Sequence, residues 1–94
     1  MKEVIEYIEQ NADRYLEELN EFLKIPSVST DPECKKDVNE AAEFVAGQLH
    51  AAGTERVEIF PTEGHPIVFG ERAAQPDNPT VLIYGHYDVQ PVDP

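Results

Sequence analysis

At Gly53 the spacing of apolar residues changes from helical to alternating, and that switch dictates a mixed architecture with helices first and strands after them. Before the switch, Val4, Ile5, Ile8, Ala12, Tyr15, Leu16, Leu19, Phe22 and Leu23 recur at steps that place them on one helical face. Pro26 pushes Ile25 out of helical geometry, so the spacing predicts a first helix closing near Lys24, with a weak point at Asn11. The segment "PSVSTDPECKK" is loop by composition. Asp37, with Glu40 three residues on, then reads as the N-cap of a capping box. Val38, Ala41, Ala42, Val45, Leu49 and Ala52 form an alanine-rich stripe on a second helix, expected from Val38 to Ala52. Gly53 is placed to end that helix in a left-handed conformation.

After the switch, "RVEIF" alternates and carries β-branched residues, which predicts a strand. "PIVFGER" predicts a second strand, and "EGHP" supplies the turn chemistry that joins the two as a hairpin. The stretch "RAAQPDNP" is a polar connection. "TVLIYG" is an unbroken apolar run, the pattern of a strand buried on both faces of a sheet. The expected fold is therefore α/β, two helices followed by about three strands, in one small domain or part of one.

Composition narrows the partners. The chain has 94 residues, a formal net charge of −12 and only 7 Lys and Arg residues, which disfavours nucleic acid and anionic membranes alike. No apolar stretch approaches the ~20 residues of a membrane span. The N-terminal "MKEVIEYIEQ" lacks the apolar core of a signal peptide. Cys34 is the one cysteine, so no intrachain disulfide can form, and a reducing, cytoplasmic setting is expected. Cys34 itself reads as an incidental loop thiol, whose pKa Lys35 and Lys36 would lower modestly.

The chemistry concentrates at the end of the apolar run, in "GHYD". Extended geometry repeats every two residues, so His86 and Asp88 are expected to project to one side and Tyr87 to the other. A carboxylate there can accept the ring N–H, fix the tautomer and leave the second nitrogen a better metal donor. In open α/β sheets such residues sit where ligands gather, outside the carboxyl ends of strands. His50, near the end of the second helix, and His65, beside a turn glycine, read as surface or capping residues. The glutamates of the first helix read as a solvated face.

The full segment "TVLIYGHYDVQPVDP" resembles the first metal motif of the zinc-dependent family that includes aminoacylase, carboxypeptidase G, succinyl-diaminopimelate desuccinylase and carnosinase-like dipeptidases. "GHYDVQP" resembles the dipeptidase branch in particular. Upstream, "YLEELNEFLKIPSVST", "AAEFVAGQLHAAG" and "GHPIVFGE" resemble the family's first helix and loop, its second helix and the strand before the motif. The resemblance implies the N-terminal part of a three-layer zinc-peptidase catalytic domain, incomplete within residues 1–94 and without the lid or dimerisation domain. It implies that His86 is a ligand to one zinc of a two-zinc centre and that Asp88 is the catalytic carboxylate orienting the His86 ring without itself binding metal. Ser27 and Ser29 match a family loop, read as holding the helix-to-strand connection.

The family's other elements are a bridging Asp, an adjacent Glu pair with the general base, and further Asp/Glu and His ligands. They are expected downstream of Pro94. The implied reaction is hydrolysis of a peptide or N-acyl amino-acid amide bond, with a small peptide or N-acyl amino acid as substrate. The 94 residues alone are expected to be inactive and to self-associate through the exposed edge of the "TVLIYG" strand. A stand-alone, non-catalytic binding module of the same architecture is the alternative.

Overall fold

A computed structural model of the chain describes residues 1–93. Its elements are α1 (Lys2–Gln10), α2 (Ala12–Leu23), a short 3-10 turn (Pro32–Cys34), α3 (Lys35–Ala51), β1 (Arg56–Phe60) and β2 (Ile67–Glu71). The fold is mixed α/β, as the change of period at Gly53 dictates. The expected first helix is interrupted at Asn11, whose φ of −108° and ψ of 10° are not helical. The Asn11 side-chain amide donates to the Tyr7 carbonyl at 2.8 Å, so this residue closes α1 while its own carbonyl opens α2.

Neither α1 nor α2 buries a residue. Val4, Ile5, Ile8, Leu16, Leu19 and Leu23 are all exposed, so the apolar face of this arm lacks a covering surface among the described residues. Its main tie to the body is Phe22, stacked on Phe44 of α3 with ring centroids 5.3 Å apart.

The second predicted helix is α3, and its start differs from expectation. Asp37 is not its cap: the 3-10 turn runs straight into α3 at Lys35, and Cys34 stands at the boundary without a side-chain cap bond. The capping carboxylate is Asp31, which accepts the Glu33 N–H at 2.9 Å and opens the 3-10 turn, with Pro32 at a position that needs no donor. At the far end Gly53 has φ of +83°, the left-handed conformation expected of it.

The core is small and is built on α3. Val38, Ala41, Ala42 and Ala46 are buried on one face, joined by Ile25 and Ser27 from the loop after α2. The face packs on an antiparallel hairpin in which Arg56 pairs with Glu71, Val57 with Gly70, Glu58 with Phe69, Ile59 with Val68 and Phe60 with Ile67. Val57, Ile59 and Val68 are half-buried. Gly70 permits the close approach, since a Cβ there would stand 3.0 Å from Leu49 Cδ1 and 3.2 Å from Thr54 Cγ2. The other face of the hairpin is open and carries Phe60 edge-on to Phe69 and the Arg56 guanidinium over the Phe69 ring. A two-stranded hairpin is marginal alone, and α3 is what supports this one.

The third expected strand is absent among the described residues. Val81, Leu82, Ile83 and Tyr84 are 79–90% exposed and form no strand. A strand exists only when its N–H and C=O groups meet a neighbour, and neither edge of the β1–β2 hairpin takes this segment. Apolar composition marked it as buried on both faces, but nothing among the described residues covers either one.

Candidate metal centre

Beyond the bare segment the chain docks again. Val89 N–H donates to the Ser27 carbonyl at 3.1 Å, and Val28 and Val89 form a parallel bridge. Fully buried Ser27 also donates its hydroxyl to the Tyr87 carbonyl at 3.3 Å. The Tyr87 hydroxyl reaches the other way and donates to the Pro66 carbonyl, in the β1–β2 connection, at 2.5 Å. Burial first, then the Asp88 carboxylate, pushes the Tyr87 phenol up from its ordinary pKa, which keeps it a donor. The His86–Val89 segment is thus fastened to the loop after α2 and to the hairpin connection.

On this segment His86 and Asp88 meet. Asp88 Oδ1 lies 2.7 Å from His86 Nδ1, and Asp88 Oδ2 accepts the Ser29 hydroxyl at 2.5 Å. These two bonds hold the Asp88 carboxyl below its ordinary pKa, the Ser29 hydroxyl having the larger effect and His86 the next. An ionised carboxylate only accepts, so in a neutral ring the imidazole proton is on Nδ1 and Nε2 carries the lone pair. The His86 side chain is 81% exposed, which leaves that lone pair open to an arriving cation.

His65 is half-buried. Its Nε2–H donates to the Ser29 carbonyl at 2.8 Å, and its buried Nδ1 has no partner among the described residues. His50 lies exposed in the last turn of α3. Cys34 is half-buried and free, and its thiol is pushed up rather than down, by desolvation and then by Asp31 and Asp37. Lys35 and Lys36 do not activate it.

Chemically, His86 with Asp88 fits one corner of a metal site. It is not a whole one: a zinc centre takes three or four donors, and no three His, Cys, Asp or Glu side chains among the described residues are grouped to hold an ion.

Comparison with known proteins supplies the context for that corner. The chain is 32% identical to a Cys-Gly metallodipeptidase of Candida albicans over 97% of its own length and 21% of that protein's. The chain is a homologue of the dipeptidase metallopeptidases. A cysteinylglycine-S-conjugate dipeptidase of Corynebacterium striatum is 31% identical over 86% of the chain and 18% of the relative. A mouse Beta-Ala-His dipeptidase is 28% identical over 97% of the chain and 21% of the relative. The chain therefore spans about a fifth of the length of the curated metallodipeptidases it matches. No family model and no solved structure matches it. The names of the Cys-Gly relatives carry a metal and a dipeptide substrate, and no helix among the described residues is long and apolar enough to cross a membrane.

Sequence reasoning singled out His86 and Asp88 but gave Ser29 no part in their geometry. Its signal was faint: two serines two residues apart in an otherwise apolar "IPSVS" loop, matching the two-residue period of the extended segment they meet.

Proposed function

We propose that residues 1–94 are the N-terminal portion of the catalytic domain of a di-zinc hydrolase. Its substrates are dipeptides or N-acyl amino acids, and its compartment is the cytoplasm. His86 Nε2 is a ligand to one metal, and Asp88 holds the ring in the tautomer that exposes Nε2. The observation that carries this reading is the 2.7 Å His86–Asp88 bond on a fastened segment, in a chain homologous to metallodipeptidases along nearly its whole length.

The metal, when bound, polarises the scissile carbonyl and lowers the pKa of its water. Zinc suits an imidazole ligand, as do neighbouring first-row ions. The residues of this chain contribute binding and orientation; the general base and the remaining ligands belong to the four-fifths of the relatives' length that these residues do not cover. The 94-residue chain alone turns over no dipeptide.

The test is a chimera in which residues 1–94 replace the matching stretch of the Candida albicans enzyme. Cys-Gly hydrolysis is expected to persist, to fall at least roughly a hundredfold with His86→Ala, and to fall roughly ten- to a hundredfold with Asp88→Asn. Undiminished hydrolysis by the His86→Ala chimera would sink the reading and leave a structural module. Tight uptake of two zinc ions by the 94-residue chain, followed by calorimetry, would overturn the incomplete site.

A further inference from the structure

We infer that Ser29 is a positioning residue, which steers the His86 ring through Asp88 from the loop that follows α2; the inference rests on the metal role proposed for His86. The two carboxylate oxygens of Asp88 are used separately, Oδ1 by the ring and Oδ2 by the Ser29 hydroxyl, so both bonds are made at once. A carboxylate held by one oxygen can swing about its side-chain torsions. Held by both, it presents Oδ1 in one direction.

Ser29 is itself fixed from behind, because its carbonyl accepts His65 Nε2–H at 2.8 Å. The line His65, Ser29, Asp88, His86 therefore runs from the β1–β2 connection to the free imidazole nitrogen. Partners of ligand histidines act in this manner, setting tautomer and ring direction. The other ties between loop and turn come from Ser27 and Val28 and do not use the Ser29 hydroxyl. Removing that hydroxyl separates steering from fastening.

The experiment is imidazole 15N NMR on the 94-residue chain without metal, at a pH raised until the ring 15N shifts no longer change and the ring is neutral. In the native chain His86 is expected mainly as the Nδ1–H tautomer. Ser29→Ala shifts the Nε2–H to Nδ1–H ratio upward by roughly three- to tenfold, the range for losing support to a charge-assisted bond at an exposed site. Ser29→Thr, which keeps a hydroxyl, restores the native ratio, and Asp88→Asn shifts it at least as far as Ser29→Ala. Hydrogen exchange at the Val89 amide stays native in Ser29→Ala, showing the turn still docked.

An unchanged ratio in Ser29→Ala overturns the inference. So does a changed ratio accompanied by loss of Val89 protection, which would make Ser29 simple glue. The readout needs no metal, so a failure of His86 to bind zinc strikes the proposed function and not the tautomer result.

Discussion

Two neighbouring quartets of residues have opposite fates. Val81–Tyr84 are apolar and bare; His86–Val89 are largely polar and held by Ser27, Ser29 and Pro66. Burial followed polarity in reverse because the two quartets draw on different partners. The turn needs a few hydrogen bonds, and the loop after α2 and the hairpin connection supply them within the chain. The apolar run needs a strand on each side and a layer on each face, and no described element offers either. The site's local geometry is therefore independent of any sheet that residues 81–84 are suited to join.

The largest expected effect tests the bare quartet. At raised concentration the chain should self-associate through residues 81–84, and the double variant Leu82→Lys/Ile83→Lys should remain monomeric. Burying two such side chains is worth about 3 kcal/mol or more, so the dissociation constant should rise roughly a hundredfold or further, measured by sedimentation equilibrium. Equal association by native and variant chains would show that the exposed arm of α1 and α2, rather than this run, is the adhesive surface.

The next effect tests what the docked quartet stands on. Val38 is fully buried on the face that α3 turns to the core. Val38→Ala should lower unfolding stability by about 1–3 kcal/mol in urea titration. Protection of the Val89 amide should fall in step, because Tyr87 is tied to Pro66 and Ser27 to the core. Amides 81–84 should exchange freely before and after. Protection at 89 that outlasts the loss of the hairpin would show the turn and the α2 loop forming a unit of their own.

The contrast also explains what could be read in advance. Local features were legible: the break at Asn11, the bounds of "RVEIF", the left-handed Gly53 and the closeness of His86 to Asp88 all follow from residues a few positions apart. The start of α3 was not, because Asp31 caps a preceding 3-10 turn and removes the need for Asp37. The strand at Val81–Tyr84 was misread for a deeper reason. Hydrophobicity states what a segment requires, and only tertiary structure decides whether the requirement is met. The role of Ser29 was barely legible because its partner lies 59 residues away.

A smaller effect isolates one fastening. Tyr87→Phe removes the bond to the Pro66 carbonyl and leaves the ring in place. The cost should be about 0.5–1.5 kcal/mol, read as a two- to tenfold faster exchange at Val89 (roughly the same free energy) with little change in the hairpin amides. An equal acceleration throughout β1 and β2 would mean that the turn and hairpin open together, and the comparison would then be between one cooperative body and one loose segment.

The smallest effect is a pH dependence confined to the docked side. Asp88 has its folded-state pKa depressed, first by the Ser29 hydroxyl and then by His86. A depressed carboxylate contributes stability above its unfolded pKa and loses it as pH falls through the lower folded value. Docking of the His86–Val89 segment should therefore be constant from neutral pH down to the ordinary carboxylate range, then weaken in stronger acid. Followed by the side-chain carbonyl 13C shift of Asp88, the midpoint should lie below that of an unstructured aspartate. Ser29→Ala should move it back upward by more than His86→Ala does, since the hydroxyl is the larger cause. The reverse order would assign the carboxylate to the ring first and leave Ser29 as an onlooker. Residues 81–84, which have no titrating partner among the described residues, should show no change across the same range, so any acid response there would mean that the two quartets are coupled after all.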